Sequence, residues 1–135
     1  MVLLMTLEYI RKWFNRLPES ERDLPIVILN GIAYTPRMIL HEVERGSKIG
    51  EELQTKVEAG SFGTTEEEAY NLALIRLKEI LKRYPPNKPV IAVLSNPPVT
   101  LTPEQIIEQV EKRTPLGKRF VEAELQQVKY LLSMR

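Results

Sequence analysis

The chain has 135 residues, a formal net charge of +1 and no cysteine, and this composition excludes several classes of function. Disulfides, thiolate catalysis and cysteine-bound metals are excluded, and the near-neutral charge gives no general attraction to nucleic acid or an acidic membrane surface. Hydrophobic residues at 43% and charged residues at 27% are typical of a soluble globular protein. Because the apolar start is short and runs into a charged amphipathic segment, we expect a cytoplasmic protein with no membrane partner.

The first predicted element is an amphipathic helix that ends before Pro18. Its apolar positions recur every three or four residues, at Leu3, Leu7, Ile10 and Phe14. A linker that ends at Pro25 follows, and then the apolar run "IVIL", which is short and β-branched enough to be a buried strand. The Asn-Gly pair after this run predicts a two-residue hairpin turn.

Two helices are predicted after this strand. Thr35 suits a helix N-cap and Pro36 the first helical position, where no amide donor is needed. The helix breaks after Arg45, and a second helix begins at the new cap Ser47. Gly50 lies in the first turn of that helix and predicts close approach of another backbone, because glycine in a helix costs about 1 kcal/mol relative to alanine.

The same pattern returns 67 positions later. "YTPRMILHEVERGSKIG" (34–50) aligns with "LTPEQIIEQVEKRTPLG" (101–117), and the similarity extends upstream into the preceding helix and strand. Thr65 and Glu68 predict a capping box for the second copy of the first helix, which stops before Pro85. After the second strand, "VIAVL", the sequence "SNPP" cannot form the two-residue turn, so a second hairpin is in doubt.

This repetition predicts a tandem duplication of residues 1–61 and 62–135 within a single compact domain, 1–135. The predicted fold class is α+β and helix-dominated, with two helix–strand–helix–helix units related by a pseudo-two-fold axis. Seventeen glutamates against one aspartate, with ten prolines, fit a protein from a hot environment. They fit any helix-rich chain equally well, because glutamate is the better helix former.

No catalytic, cofactor-binding or metal-binding residue is predicted. His41 is the only histidine and Asp23 the only aspartate, and no metal, nucleotide or triad motif is present. The glutamate clusters lie in helix first turns, where the helix dipole favours negative charge. An enzyme that acts through carboxylates between the two copies is therefore the least favoured class.

Charge inverts at one matched position of the repeat. Glu51 and Glu52 follow Gly50, whereas Lys118 and Arg119 follow Gly117. We expect the two glycines to mark a crossing of the copies. The two glycines and the four charged residues are together the interface candidates. The charged residues either pair with each other across an interface or leave the basic pair to bind an external anion.

The expected function is a non-enzymatic protein-binding or assembly module, with itself (a homo-oligomer) or another protein as partner and no cofactor. The alternative is a small DNA-binding regulator, since residues 26–60 resemble the strand–helix–turn–helix order of ribbon-helix-helix repressors. That resemblance implies a ribbon of paired strands in the DNA major groove, although "IVIL" and "VIAVL" carry no polar side chains to read bases. The phosphate contacts would be Lys112, Arg113, Lys118 and Arg119.

Overall fold

The computed structural model describes residues 2–63, 65–93 and 97–134, without the side chains of residues 2–6, 92 and 93. The expected packing of Leu3 and the first two residues of the "SNPP" segment, Ser95 and Asn96, therefore lie outside the description. In chain order the elements are α1 (Val2–Arg16), a short 3₁₀ turn (Glu19–Glu21), β1 (Val27–Leu29), β2 (Ile32–Tyr34), α2 (Pro36–Glu44), α3 (Lys48–Ala59), α4 (Glu66–Leu81), β3 (Ile91–Val93), β4 (Val99–Leu101), α5 (Pro103–Glu111) and α6 (Pro115–Leu132). The prediction of a helix-dominated α+β chain is confirmed.

Both halves contain a hairpin where the sequence predicted one strand with an uncertain partner. Asn30 and Gly31 form the predicted two-residue turn, with φ of 52° and 78°, and β1 pairs antiparallel with β2. The doubt about the second hairpin was wrong, because β3 pairs antiparallel with β4. β3 ends at Val93 and β4 begins at Val99, so the two strands are further apart in the sequence than a two-residue Asn-Gly turn would place them.

The N-cap residues predicted from the sequence form the expected side-chain hydrogen bonds at the helix starts. The Met38 amide donates to Thr35 Oγ1 at 3.1 Å, and the Gln105 amide donates to Thr102 Oγ1 at 3.2 Å. The capping box of α4 is also confirmed, with the Glu68 amide bonded to Thr65 Oγ1 and the Thr65 amide bonded to Glu68 Oε1. These local bonds satisfy amides that have no partner inside the helix.

Gly50 and Gly117 both lie where a helix starts against the helix before it. A Cβ atom built on Gly50 would lie 2.5 Å from the Glu42 carbonyl oxygen, and one on Gly117 would lie closer still to that of Gln109. The predicted close approach of a second backbone is therefore present. That backbone belongs to the preceding helix of the same half, so the glycines are explained without the predicted crossing of the two copies.

The chain divides into two compact units, Met1–Leu72 with Leu125–Arg135, and Ala73–Glu124. In the first unit, an apolar core surrounds Trp13, whose indole Nε1 donates to the Leu131 carbonyl at 2.8 Å. Val128 and Leu132 join this core from the end of α6. The units therefore have different boundaries from the predicted repeats, and the repeats within a single domain stay a prediction.

A buried ion pair lies inside the second unit. Arg76 of α4 is fully buried, and its Nε donates to Glu124 Oε1 of α6 at 2.8 Å. Glu124 is only 14% exposed. Because a buried charge without its partner is costly, this pair makes the second unit dependent on two specific side chains.

Arg113 has an unfavourable backbone conformation that glycine would relieve. Its φ is 56°, the left-handed region, and the matching residue of the first half is Gly46 at 68°. We expect Arg113→Gly to raise the free energy of unfolding by up to about 1 kcal/mol, because glycine adopts this conformation without a Cβ clash. Urea denaturation measures the change, and Gly46→Arg should shift it in the opposite direction. A loss of stability in Arg113→Gly would contradict the prediction.

Among the helices of the described residues, none has the length and apolar character needed to cross a bilayer.

Candidate protein-binding site

Backbone hydrogen bonds give a residue-by-residue match between the two linkers that precede the hairpins. The Arg37 amide donates to the Arg22 carbonyl at 3.1 Å, and the Glu104 amide donates to the Pro86 carbonyl at 3.4 Å. Beyond the linkers, the Ile26 amide donates to the Tyr34 carbonyl and the Val90 amide donates to the Leu101 carbonyl, each at 2.9 Å. The second linker therefore lacks three residues, which correspond to the 3₁₀ turn Glu19–Glu21 of the first.

Positions that are core in the first hairpin are exposed in the second. Ile26 and Val27 are both 0% exposed, whereas their counterparts Val90 and Ile91 are 37% and 40% exposed. Val99 of β4 is also exposed. We call Val90, Ile91 and Val99 the hairpin patch. Ile32, the counterpart of Val99 on the first hairpin, is exposed as well, so the difference between the two hairpins lies at Val90 and Ile91.

The outer edge of the first hairpin is also covered, by the segment after α3. Gly60, with a φ of 68°, is the C-cap of α3 and turns the chain away from the helix. Two residues later, the Phe62 carbonyl accepts a hydrogen bond from the Ile28 amide of β1 at 2.9 Å. Ala92 takes the matching register position in β3. Among the described strands, β3 pairs only with β4. Its other side is therefore a sheet edge, the kind of edge to which another strand can pair.

In the first unit, charged side chains join α1 and α2. Arg11 Nη2 lies 3.1 Å from Glu44 Oε2. The guanidinium groups of Arg22 and Arg37 lie over the ring of Phe14, at 4.9 and 5.4 Å from its centroid. Cation–π contacts of this kind hold basic side chains against an apolar surface.

The first linker contributes an acid that pairs with α2 and one buried aliphatic side chain. Asp23 Oδ1 accepts from Arg37 Nε at 2.8 Å, and that hydrogen bond holds the pKa of Asp23 below its ordinary value. Leu24 beside it is buried. The first linker is therefore part of the core of its unit.

In the second unit the matching helices leave an open cleft of about 880 Å³. We call it the α4–α5 cleft. Its residues are Lys78 and Leu81 of α4, Lys82, Tyr84 and Pro86 of the segment after it, and Pro103, Glu104, Gln105, Ile107, Glu108, Glu111 and Lys112 at α5. Tyr84 is 49% exposed, whereas its counterpart Leu17 is 2% exposed. Lys88 is exposed where the first linker buries Leu24.

The α5 wall of the cleft carries three carboxylates. Lys112 Nζ donates to Glu108 Oε1 at 2.6 Å, and this hydrogen bond lowers the pKa of Glu108. Among the described residues, the carboxylates of Glu104 and Glu111 form no ion pair and no side-chain hydrogen bond. On the α4 wall Lys82 pairs with Glu79 at 2.8 Å. The α5 wall therefore carries an unpaired negative charge at Glu104.

The residues singled out by sequence are mostly at the surface. Gly50 and Gly117 are buried, whereas the four charged interface candidates and the basic candidates for phosphate contact are exposed: Glu51, Glu52, Lys118, Arg119, Lys112 and Arg113. Glu51 and Glu52 belong to the first unit, and the basic residues belong to the second. His41 is exposed, as is Glu108 at the matching position.

The strand pairing differs from the ribbon that the ribbon-helix-helix resemblance implies. In that family the ribbon joins strands of two copies, whereas here β1 pairs with β2 and β3 with β4. In the described residues no group of three or more acidic, histidine or cysteine side chains is placed to hold a metal ion.

No protein-family model, curated protein or solved structure matches this chain.

The sequence reasoning missed both the hairpin patch and the α4–α5 cleft. The visible signal was the linker, since the second is shorter and has Lys88 in place of Leu24. That difference predicts a less filled second unit only once the register of the two linkers is known from their hydrogen bonds.

Proposed function

We propose that the chain is a non-enzymatic assembly module that binds a second copy of itself through the hairpin patch and the free edge of β3. The observation that carries this proposal is the exposure of Ile91 at a position that is buried in the first hairpin, where it is Val27. Pairing two β3 edges would give the outward amides partners and cover the aliphatic side chains of both copies.

The tandem duplication with its pseudo-two-fold axis is part of the same proposal. It is supported by matched caps at Thr35 and Thr102, and by matched glycines at the two helix–helix breaks. Both halves also have the element order helix, hairpin, helix, helix. The linker of the second copy is three residues shorter than that of the first. A shorter linker covers less of its unit, which fits the exposure in the second copy of surface that the first copy buries.

Self-association is tested by solution mass. We expect the mass to rise above the 15.6 kDa of one chain as concentration increases. Ile91→Lys with Val99→Lys should weaken association at least about tenfold, because lysine at the interface brings like charges together and costs desolvation. Sedimentation equilibrium measures both.

The matched control is Ile32→Lys, which changes the exposed counterpart of Val99 on the first hairpin. It should leave the association constant unchanged. A wild-type chain that stays at the mass of one chain at every concentration would refute self-association, and equal weakening by the control would refute the choice of surface.

A second test concerns the charged interface candidates. We expect Lys118→Glu with Arg119→Glu to weaken the assembly, and the addition of Glu51→Lys with Glu52→Lys to restore it. Each exposed pair contributes a few tenths to about 1 kcal/mol, so the quadruple variant should recover most of the lost association. If it recovers none, and the first pair of changes instead abolishes retention on duplex DNA, the basic residues serve an external anion as in the DNA-binding alternative.

A further inference from the structure

We propose that Asn30 is a site of spontaneous deamidation that the turn of the first hairpin holds unreactive, so that the modification marks molecules in which this hairpin has opened. The reaction is intramolecular and needs an unhindered backbone nitrogen directly after the asparagine. Of the five asparagines in the sequence, only Asn30 is followed by glycine. This inference concerns the first hairpin and does not depend on the proposed self-association.

The only co-reactant of this modification is water. The backbone nitrogen of Gly31 attacks Cγ of the Asn30 side chain, and the new C–N bond closes a succinimide ring. The side-chain nitrogen leaves as ammonia and takes the Gly31 amide proton with it. Water then opens the ring at one of its two carbonyls. Attack at Cγ leaves aspartate with the normal backbone, whereas attack at the backbone carbonyl leaves isoaspartate, whose main chain runs through Cβ.

The tip of the first hairpin leaves the Gly31 nitrogen accessible. Asn30 and Gly31 are both exposed to solvent. Among the described residues, none beyond the chain neighbours comes within 4 Å of the position that a Cβ of Gly31 would take. Because glycine has no side chain to hinder the attack, this pair carries the thermal lability of asparagine in its strongest form.

The backbone conformation of the turn opposes the same reaction. With φ of 52° and 78°, Asn30 and Gly31 are the central residues of a type I′ turn. The ψ of the first central residue in such a turn is about +30°, which places the Asn30 Cβ and the Gly31 nitrogen on opposite sides of the Cα–C bond. The succinimide ring requires them on the same side. The turn must therefore open before Asn30 can react.

Packing of the first hairpin keeps this turn closed. Leu29 and Ile32 are paired on either side of it, and in β1 Val27 is 0% and Ile28 6% exposed. Because strands packed on a core open rarely, the rate of deamidation follows the opening of the hairpin. Isoaspartate adds a backbone atom to a loop whose two-residue length sets the register of the strands, so the modified hairpin does not re-form the same turn.

The rate at each asparagine is measured by mass spectrometry of proteolytic fragments after incubation of the full chain at neutral pH. In guanidinium chloride we expect Asn30 to deamidate at least about tenfold faster than Asn87, since Asn87 is followed by lysine, whose side chain hinders the attack. In native buffer we expect the Asn30 rate to fall at least about tenfold below its rate in the denaturant, because the turn is closed most of the time.

Two valine variants test the dependence on hairpin opening. Val27→Ala leaves a cavity beneath the first hairpin, so it should raise the Asn30 rate in native buffer at least about threefold. Val90→Ala is the matched control, because it makes the same change at an exposed position of the second hairpin. It should leave the Asn30 rate unchanged.

The products provide an independent readout by urea denaturation. The isoaspartate form should unfold at a lower urea concentration than the wild type. Asn30→Asp should unfold close to the wild-type midpoint, because it keeps the normal backbone and aspartate tolerates positive φ. An isoaspartate form as stable as Asn30→Asp would contradict the loss of the turn.

Equal Asn30 rates in native and denaturing buffer would overturn the proposal, as would an Asn30 rate in denaturant no greater than that of Asn87. A wild-type rate in Val27→Ala, or equal acceleration in Val90→Ala, would overturn the link to the first hairpin. The comparison of native with denatured wild-type protein uses no variant, so it decides the proposal even where Val27→Ala does not fold.

Discussion

Replacing Arg76 with methionine is expected to lower the free energy of unfolding by about 3 kcal/mol or more, the cost of breaking a buried ion pair. Arg76 is fully buried and donates to Glu124, which is only 14% exposed. Methionine fills much of the same volume, so the loss comes mainly from the uncompensated Glu124 carboxylate rather than from a cavity. Urea denaturation followed by circular dichroism measures the effect.

Two comparisons identify the cause of that loss. Arg11→Met removes an ion pair with Glu44 whose partners are 53% and 43% exposed, so it should cost less than about 1 kcal/mol. Adding Glu124→Leu to Arg76→Met should recover most of the stability, because no buried charge is then left alone. The explanation fails if Arg76→Met costs no more than Arg11→Met, or if the second change deepens the loss.

Gly117→Ala is expected to destabilise the protein by about 2–3 kcal/mol, and Gly50→Ala by about 2 kcal/mol, through overpacking. The added Cβ would meet a backbone carbonyl of the preceding helix, that of Gln109 or Glu42. Backbone cannot move aside as a flexible side chain does. The helix would have to shift away from its cap, where the Gly117 amide donates to Thr114 Oγ1 at 3.0 Å.

Helix propensity alone predicts the opposite sign, which makes this substitution informative. Alanine is favoured over glycine in a helix by about 1 kcal/mol, so Gly117→Ala would stabilise a helix that touched nothing. Gly63→Ala is the control, since its Cβ would lie 3.4 Å from Glu68 Cβ, an ordinary contact. It should change stability by less than about 0.5 kcal/mol. A Gly117→Ala protein as stable as the wild type would contradict the observed close approach.

Much of the local structure, but little of the candidate site, could be predicted from the residues. The caps at Thr35, Thr65 and Thr102 depend on bonds over three residues, so their spacing in the sequence is sufficient. The site depends on what covers each surface. Val90 belongs to an apolar run of the same kind as the one that holds Ile26, yet only Ile26 is buried.

The second hairpin shows how a local rule can mislead. "SNPP" excludes a two-residue turn, and the structure agrees to the extent that the connection spans 94–98. The strands pair nevertheless, because pairing of β3 with β4 is a property of both strands and a longer loop adds only a small entropic cost. The absence of one turn type therefore did not exclude the hairpin.

The sequence by itself determined the order and the ends of the helices, the first hairpin turn and the need for a close approach at Gly50 and Gly117. All of these depend on residues near each other in the chain, where capping and backbone conformation act. The tertiary structure alone showed that each glycine meets the helix before it and that Arg76 is buried against Glu124. It alone showed that Ile26 and Val27 are covered in the first hairpin, whereas their counterparts Val90 and Ile91 are exposed in the second. Burial and charge pairing depend on which distant residues pack together, and local spacing carries no information about that.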